Sequence, residues 1–355
     1  MSQFKITTNL TKKKALFDVL ALAKAIELPV LLIGDPGVAK TAAVMDFAKA
    51  VKGGTLNNDD VFMLETDEGT RSNAIKGNVD IEALTTENKY RVISPVADAS
   101  FVIINEIDKA SASLRNSLLG VMNEKVLFNG TEKVGCKWET FVATCNSIPD
   151  DEKDSPFWDR FAITFHVDRL RESDMMDYFA NGGRAGKETY TVNLPEPGIV
   201  ASNIKSLDIT KIKKVLDLVY GKLSDRTLSY IPTLVGNIMA VYTTSQDRAF
   251  VKAVELLVGK TEANMLAKSI MSKQLRGLYD KVDMISSCVN DDAYRKLMAE
   301  INAMGEKLQR NNEMSVEDEA DVIARAEEAQ SKLSFLSNED DLDVSDSVEE
   351  TSLPF

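Results

Sequence analysis

Gly34-Asp35-Pro36-Gly37-Val38-Ala39-Lys40-Thr41 follows the apolar run Pro29 to Ile33 and leads into the helix-prone stretch Ala42 to Val51. Strand, glycine loop and helix, in that order, are the context a phosphate-binding loop requires. In such a loop consecutive backbone N–H groups and the helix N-terminus point into one small volume, and their aligned dipoles hold a polyanion. Gly34 and Gly37 let the backbone turn and approach phosphates with no Cβ in the way. Lys40 is placed to reach the β- and γ-phosphates of a nucleotide and the Thr41 hydroxyl to ligate Mg2+. Asp35, Pro36 and Val38 complete the cradle. Ala39 stands where many such loops carry a further glycine. A chance match in an ordinary strand-to-helix turn is the alternative, and the flanking strand and helix weigh against it.

Length and composition bound what surrounds this loop. A chain of 355 residues suggests two or three domains. No stretch approaches the ~18–20 apolar residues of a membrane span, and Met1 to Lys14 is polar and basic with no cleavable apolar segment after it. A soluble, cytoplasmic protein is expected. Cys136, Cys145 and Cys288 are isolated, with neither CxxC spacing nor a nearby histidine, so reduced and mostly buried thiols are expected rather than a disulfide framework or zinc site. The single histidine, His166, sits in the apolar run Ala162 to Val167 and reads as part of a strand, which sets aside hydrolases built on a histidine base. A formal charge of −13 opposes a broad grip on nucleic acid while leaving room for a local basic channel.

Outward from the loop, Leu10 to Ile26 shows helical spacing with one buried stripe, Val61 to Leu64 reads as a strand, and Glu65 to Asn78 as a loop with a short helix. Tyr90 to Val96 looks extended. Ala99 to Ile104 is an apolar run ending in Asn105-Glu106-Ile107-Asp108-Lys109-Ala110, and a buried strand that delivers acids at its C-terminal edge places them opposite a phosphate loop in a doubly wound fold. Glu106 is the candidate base that orients an attacking water. Asn105 occupies a position that usually carries the aspartate holding the Mg2+ hydration shell. An amide keeps an acceptor oxygen but removes the charge. Ser111 to Glu124 is helical, and Thr140 to Thr144 is a strand ending in Cys145-Asn146, whose amide could touch the γ-phosphate or the water. Arg160, within Phe157-Trp158-Asp159-Arg160-Phe161, is either a surface ion-pair partner or an arginine finger for a neighbouring subunit's nucleotide.

The series GDPGVAKT, FVIINEIDKA, FVATCN and FWDRF, in that order and spacing, resembles AAA+ ATPases, and more narrowly the MoxR type. Arg71-Ser72-Asn73-Ala74-Ile75-Lys76-Gly77 is similar to that family's segment after its second strand, and Ser113 to Asn129 to its helix and hairpin after Walker B. The resemblance covers Leu10 to Leu257. It implies ATP and Mg2+ as cofactors, Lys40 and Thr41 as Walker A, Asn105 and Glu106 as Walker B, Asn146 as sensor 1 and Arg160 as the arginine finger. It places Tyr90 to Val96 in a helix-2 insert facing the pore of a ring, commonly a hexamer, and suggests a von Willebrand A-type partner.

Past Val167 the periodicity changes. Glu172 to Phe179 looks helical, Asn181-Gly182-Gly183 breaks it, and Thr189 to Pro197 is an extended connection. Ile209 to Tyr220, Asp225 to Tyr242 and Arg248 to Val258 read as three amphipathic helices, a small lid. Ser224 is suited to cap the second of them. The resemblance makes Arg226 sensor 2, in its own or the neighbouring subunit; an exposed first-turn arginine is the plainer reading. Thr261 to Leu336 is strongly helical, with Leu297, Ile301, Met304 and Leu308 on one face and a helix after Ser315 capped through Asp318. Asn338 to Phe355 is acidic and expected to be disordered. Its end, Leu353-Pro354-Phe355, is either a solubilising tail's accidental tip or a hook for a DNA-processing partner, similar to the tails of bacterial single-stranded DNA-binding proteins. The expected architecture is an α/β P-loop αβα core over 1–168, a helical lid over 169–260, a helical extension over 261–336 and an acidic tail over 337–355.

Two functions fit. One is an Mg2+-dependent ATPase ring that remodels a partner; the other is a slow or hydrolysis-deficient nucleotide switch that recruits partners through its C-terminal helices and tail. A small-molecule kinase explains neither Asn146, Arg160 and Arg226 together nor the lid.

Overall fold

A computed structural model of the chain describes residues 2–79, 85–86, 92–129, 132–149, 157–170, 187–285 and 291–310. The chain divides into two compact units, one formed by residues 1–242 with 246–266, the other by 243–245 with the residues from 267 onward.

The first unit is built on a parallel sheet of five strands: β2 (Val30–Ile33), β3 (Val61–Glu65), β6 (Phe101–Asn105), β9 (Thr140–Cys145) and β10 (Ile163–His166), in the spatial order β10-β2-β9-β6-β3. Their apolar runs, continuous rather than alternating, suit strands covered on both faces. From β2 the chain crosses to the far edge at β3, returns through β6 and β9, and ends on the other side of β2 at β10. Ligands of such sheets gather at the strands' carboxyl ends, where the order switches.

Side chains alternate between the two faces. Val102 and Ile104 of β6, with Phe62 and Leu64 of β3 and Phe141, Ala143 and Cys145 of β9, enter one cluster. That cluster includes Leu114, Leu118, Val121 and Met122 of helix α5 (Ala112–Glu124), the face the spacing of Ser111 to Glu124 predicts. The same layer holds two short helices, α3 (Asn73–Lys76) and α4 (Pro95–Asp98). On the opposite face α1 (Lys14–Ile26) packs beside α2 (Lys40–Val51), whose Phe47 ring lies 6.3 Å from that of Phe101 and 5.6 Å from that of Phe4. The result is three layers, helix on sheet on helix.

Several expectations change. Helix α1 is buried from Leu16 continuously to Ala23 rather than along one stripe, because it is covered by the sheet, by α2 and by an antiparallel ribbon of β1 (Ser2–Thr8) and β11 (Glu188–Leu194). The ribbon makes the polar N-terminus and the presumed extended connection into paired strands. Of the stretch Tyr90 to Val96, residues 90 and 91 lie outside the described ones, and the rest is extended at β5 (Val92–Ile93), which pairs antiparallel with β4 (Asn78–Val79), before Pro95 starts α4. A hairpin of β7 (Val126–Asn129) and β8 (Glu132–Gly135) follows α5. Helix α6 (Pro197–Lys205), which the sequence did not signal, precedes the three expected lid helices α7 (Ile209–Val219), α8 (Asp225–Val241) and α9 (Gln246–Val258). Gly236 of α8 lies against α6, where a Cβ would stand 2.7 Å from the Ile204 side chain. Helix α10 (Lys260–Ile270) leads onward.

In the second unit α11 (Lys273–Ile285) and α12 (Asp291–Arg310) pack together. Lys281 pairs with Glu300, while Gly277, one turn earlier, faces Met304, one turn later. The two helices therefore run antiparallel. Ile301 and Leu308 of the predicted face are buried. Glu172 to Phe179, Asn181 to Gly183, Cys288, the helix after Ser315 and the acidic tail with Leu353-Pro354-Phe355 lie outside the described residues.

Candidate nucleotide site

The carboxyl ends of β2, β6 and β9 meet the N-terminus of α2 around a cavity of about 290 Å³. It is lined by residues Pro36 to Ala42 of the loop and its helix start, by Asn105 and Glu106 at the end of β6, by Thr144, Cys145 and Asn146 at the end of β9, and by Glu65 at the end of β3. Gly34 and Asp35 lie outside the lining and act through their carbonyls. Lys40 Nζ donates to Gly34 O at 2.6 Å and Asp35 O at 3.1 Å, and stands 3.5 Å from Asn146 Oδ1. Burial holds the Lys40 ammonium below the usual lysine value, opposed by the negative charge of Cys145, Asp108, Asp35 and Glu106 when ionised. A polyphosphate would replace those carbonyls with full charges and favour the protonated amine.

Local structure explains the loop residues. A Cβ on Gly34 would meet Val167 O at 2.5 Å, where the strand after it passes. Gly37 has φ +84°. Ala39, the N-cap of α2, also sits in the left-handed region at φ 63°, which is why glycine is common there. The Asp35 carboxylate receives Arg169 Nε at 2.6 Å on the surface.

Asn105 and Thr41 meet directly. Thr41 Oγ1 donates to Asn105 Oδ1 at 2.9 Å, and Thr144 Oγ1 donates to the same oxygen at 3.1 Å. Thr66, 2% exposed, donates to the carbonyls of Asn105 and Glu106 and fixes the turn in which Glu106 takes φ 55°. Glu106 Oε2 is held by Lys109 Nζ at 2.7 Å, and this bond raises the Lys109 pKa. Burial pushes the Cys145 thiol up to about 12 and that of Cys136 to about 11, so neither is a nucleophile. His166 is exposed on β10, as a strand residue.

The two arginines stand elsewhere. Arg160 closes a 3-10 turn, Trp158–Arg160, against α5. Its Nε is buried without a hydrogen-bond partner among the described residues, and its contact with Asp159 is 4.0 Å long. Arg226 begins α8, with Ser224 capping as expected by accepting from Thr227 N. Its Nη1 donates to Asn123 Oδ1 at 2.6 Å. Asn123 lies in the last turn of α5, and neither it nor Arg226 lines the cavity. The structure thus brings together Lys40, Thr41, Asn105, Glu106 and Asn146, and leaves Arg160 and Arg226 off the cavity lining.

Comparison with known proteins accounts for this arrangement. Residues 2–208, more than half of the chain, match the family described as the MoxR domain in the MoxR-vWA-beta-propeller ternary systems. The chain belongs to the MoxR family of AAA+ ATPases. It is similar to the structural protein ORF618 of Acidianus two-tailed virus, 28% identical over 53% of this chain and 30% of that protein. Two uncharacterised proteins of Methanocaldococcus jannaschii are each 22% identical, over 55% and 74% of this chain and 50% and 65% of their own lengths. The chain thus spans from under a third to about two thirds of the curated relatives it matches. A crystal structure of a provisionally named ATPase from Cytophaga hutchinsonii superposes with a TM-score of 0.52 at 16% identity, covering 69% of this chain and 81% of that one. That likeness carries the fold. Among the described residues no helix is long and apolar enough to cross a membrane.

Two polar lining residues, Glu65 and Thr144, were not singled out from sequence. Thr144 precedes the strand tip by one residue, and Glu65 extends the predicted strand by one. A two-residue periodicity carried to the end of each strand would have found both.

Proposed function

We propose that the protein is an Mg2+-dependent ATPase that works as a ring, with a hexamer as the expected size, in the cytoplasm, and couples hydrolysis to remodelling of a protein partner. The observation that carries this reading is the convergence of Lys40, Thr41, Asn105, Glu106 and Asn146 on one cavity. Lys40 and the loop amides hold the β- and γ-phosphates. The Thr41 hydroxyl, held in place by its hydrogen bond to Asn105, is a hard oxygen donor of the kind that suits Mg2+. When bound, the cation neutralises charge on the transferring phosphoryl group. Glu106 orients the water and accepts its proton once Lys109 releases it, a solvent-screened surface ion pair that is weakly held. Asn146 lies where its amide can hold the γ-phosphate or that water.

Support for the ring comes from what the cavity lacks. Among the described residues no cation but Lys40 lines it, while Arg160 carries an unsatisfied buried donor outside it. An arginine supplied by a neighbour would complete the site, and a head-to-tail contact that closes gives a ring. Arg226, bonded to Asn123 and off the cavity lining, would serve a γ-phosphate in a neighbouring subunit or after the lid leaves Asn123. The family's description makes a von Willebrand A-type protein the expected partner.

A second reading rests on Asn105. If the missing carboxylate stops hydrolysis, ATP serves as a switch and the C-terminal helices and tail as a scaffold. Steady-state ATP turnover separates the two. We expect measurable turnover in wild type, a rise in Asn105→Asp, and a loss of about 100-fold or more in Glu106→Gln and Arg160→Ala. Wild type that binds ATP and is as inactive as Glu106→Gln would leave only the switch.

A further inference from the structure

The cavity contains a carboxylate that the motif logic does not use. Asn105 Oδ1 already accepts hydrogen bonds from both Thr41 and Thr144, and a carbonyl oxygen has two lone pairs. In this arrangement it has neither charge nor spare acceptor capacity for a hydrated cation. Glu65 ends β3 in register with Asn105, Glu65 opposite Asn105 as Val61 is opposite Phe101. Residues in register on neighbouring parallel strands point to the same face, about 4.8 Å apart. Phe62, Leu64, Val102 and Ile104 belong to the cluster with α5, so Glu65 and Asn105 share the other face, that of α2 and Thr41. Glu65 lines the cavity together with Thr41 and Asn105. It feels Lys109 electrostatically, but Lys109 is bonded to Glu106.

We propose that Glu65 supplies, from the neighbouring strand, the negative charge at the Mg2+ position that Asn105 does not provide. The assignment rests on the nucleotide-binding reading above. Without a cation a carboxylate at this point repels the phosphates; with one it becomes part of the cation's oxygen environment. The opposite signs of those two effects make the role measurable without any turnover.

The test uses the full chain, mant-ADP fluorescence for nucleotide affinity without metal, and Mn2+ EPR for binding of the metal to the protein–ADP complex, Mn2+ sharing the preference of Mg2+ for oxygen donors. Wild type, E65Q, E65D, N105D and the double variant E65Q/N105D are compared. E65Q should weaken Mn2+ binding by about 10–100-fold, the range typical of groups that support a metal site, while metal-free ADP binds as tightly as in wild type or more tightly. E65D should recover part of the loss. In the N105D background the effect of E65Q should shrink to about threefold or less, because the charge is then supplied from β6. An unchanged Mn2+ affinity in E65Q overturns the assignment, as does a loss equally large in both backgrounds. If wild type binds no ADP, the parent reading falls and takes the assignment with it; if ADP binds and only Mn2+ affinity ignores Glu65, the parent reading stands.

Discussion

Ala39 shows how a conservative-looking exchange acts through the backbone. At φ 63° its Cβ sits in a region that costs an L-residue about 1–2 kcal/mol. Glycine avoids that strain but loses more freedom on folding, roughly 0.5–1 kcal/mol. Ala39→Gly should therefore stabilise the first unit by a net ~0.5–1 kcal/mol, read as a higher urea midpoint at unchanged slope. A lower midpoint would mean that the surrounding loop prefers this φ for reasons other than residue type. Gly34 is the contrasting case. Its constraint is the Val167 carbonyl at 2.5 Å from any Cβ, so no choice of backbone angle relieves it. The two positions belong to one motif and are alike in sequence logic, yet one is governed by torsion and the other by space.

Among the elements, those decided by local pattern were legible and those decided by a distant partner were not. β2, β6 and β9 are apolar runs because helices cover both faces, and α5, α7, α8 and α9 carry their period openly. β1 is different. Phe4, Ile6 and Thr8 alternate inward, but the pattern is short, and its partner β11 lies across most of the first unit's sequence, pairing Ile6 with Tyr190. The ribbon nevertheless contributes a fully buried residue: Ile6 is 0% exposed and Phe4 meets Phe47 at 5.6 Å. Ile6→Ala should cost about 2–5 kcal/mol, whereas Thr7→Ala, facing outward, should stay within about 0.5 kcal/mol; equal small losses in chemical denaturation would show that the ribbon is not part of the cooperative unit. The same distinction divides the site. Lys40, Thr41, Glu106 and Asn146 were readable from motif spacing. Glu65 gained its place from the register between β3 and β6, and Arg226, which does not line the cavity, is bonded to Asn123 of α5. Neither register nor docking is written in a local window.

At the scale of the whole molecule, the separation of Arg160 from the cavity of its own chain makes a claim about assembly. If Arg160 acts in a neighbour's site, the lesions Lys40→Met and Arg160→Ala lie on opposite sides of one interface. Each variant alone should be inactive: the first has no working site, the second no finger to give. In an equimolar mixed ring, a site from an Arg160→Ala protomer can face the intact Arg160 of a Lys40→Met protomer. Random mixing in a closed head-to-tail ring gives about a quarter of interfaces this composition, so mixing should restore ATP turnover to roughly that fraction of wild type, or less if subunits fire only in concert. Activity should also rise with protein concentration as rings form. Native mass spectrometry of the mixture shows whether the two variants share rings. Mixed rings with no recovered turnover would place Arg160 in its own subunit's service or outside catalysis, and absence of any assembly would remove the ring from the proposal, leaving a cavity whose only cation among the described residues is Lys40.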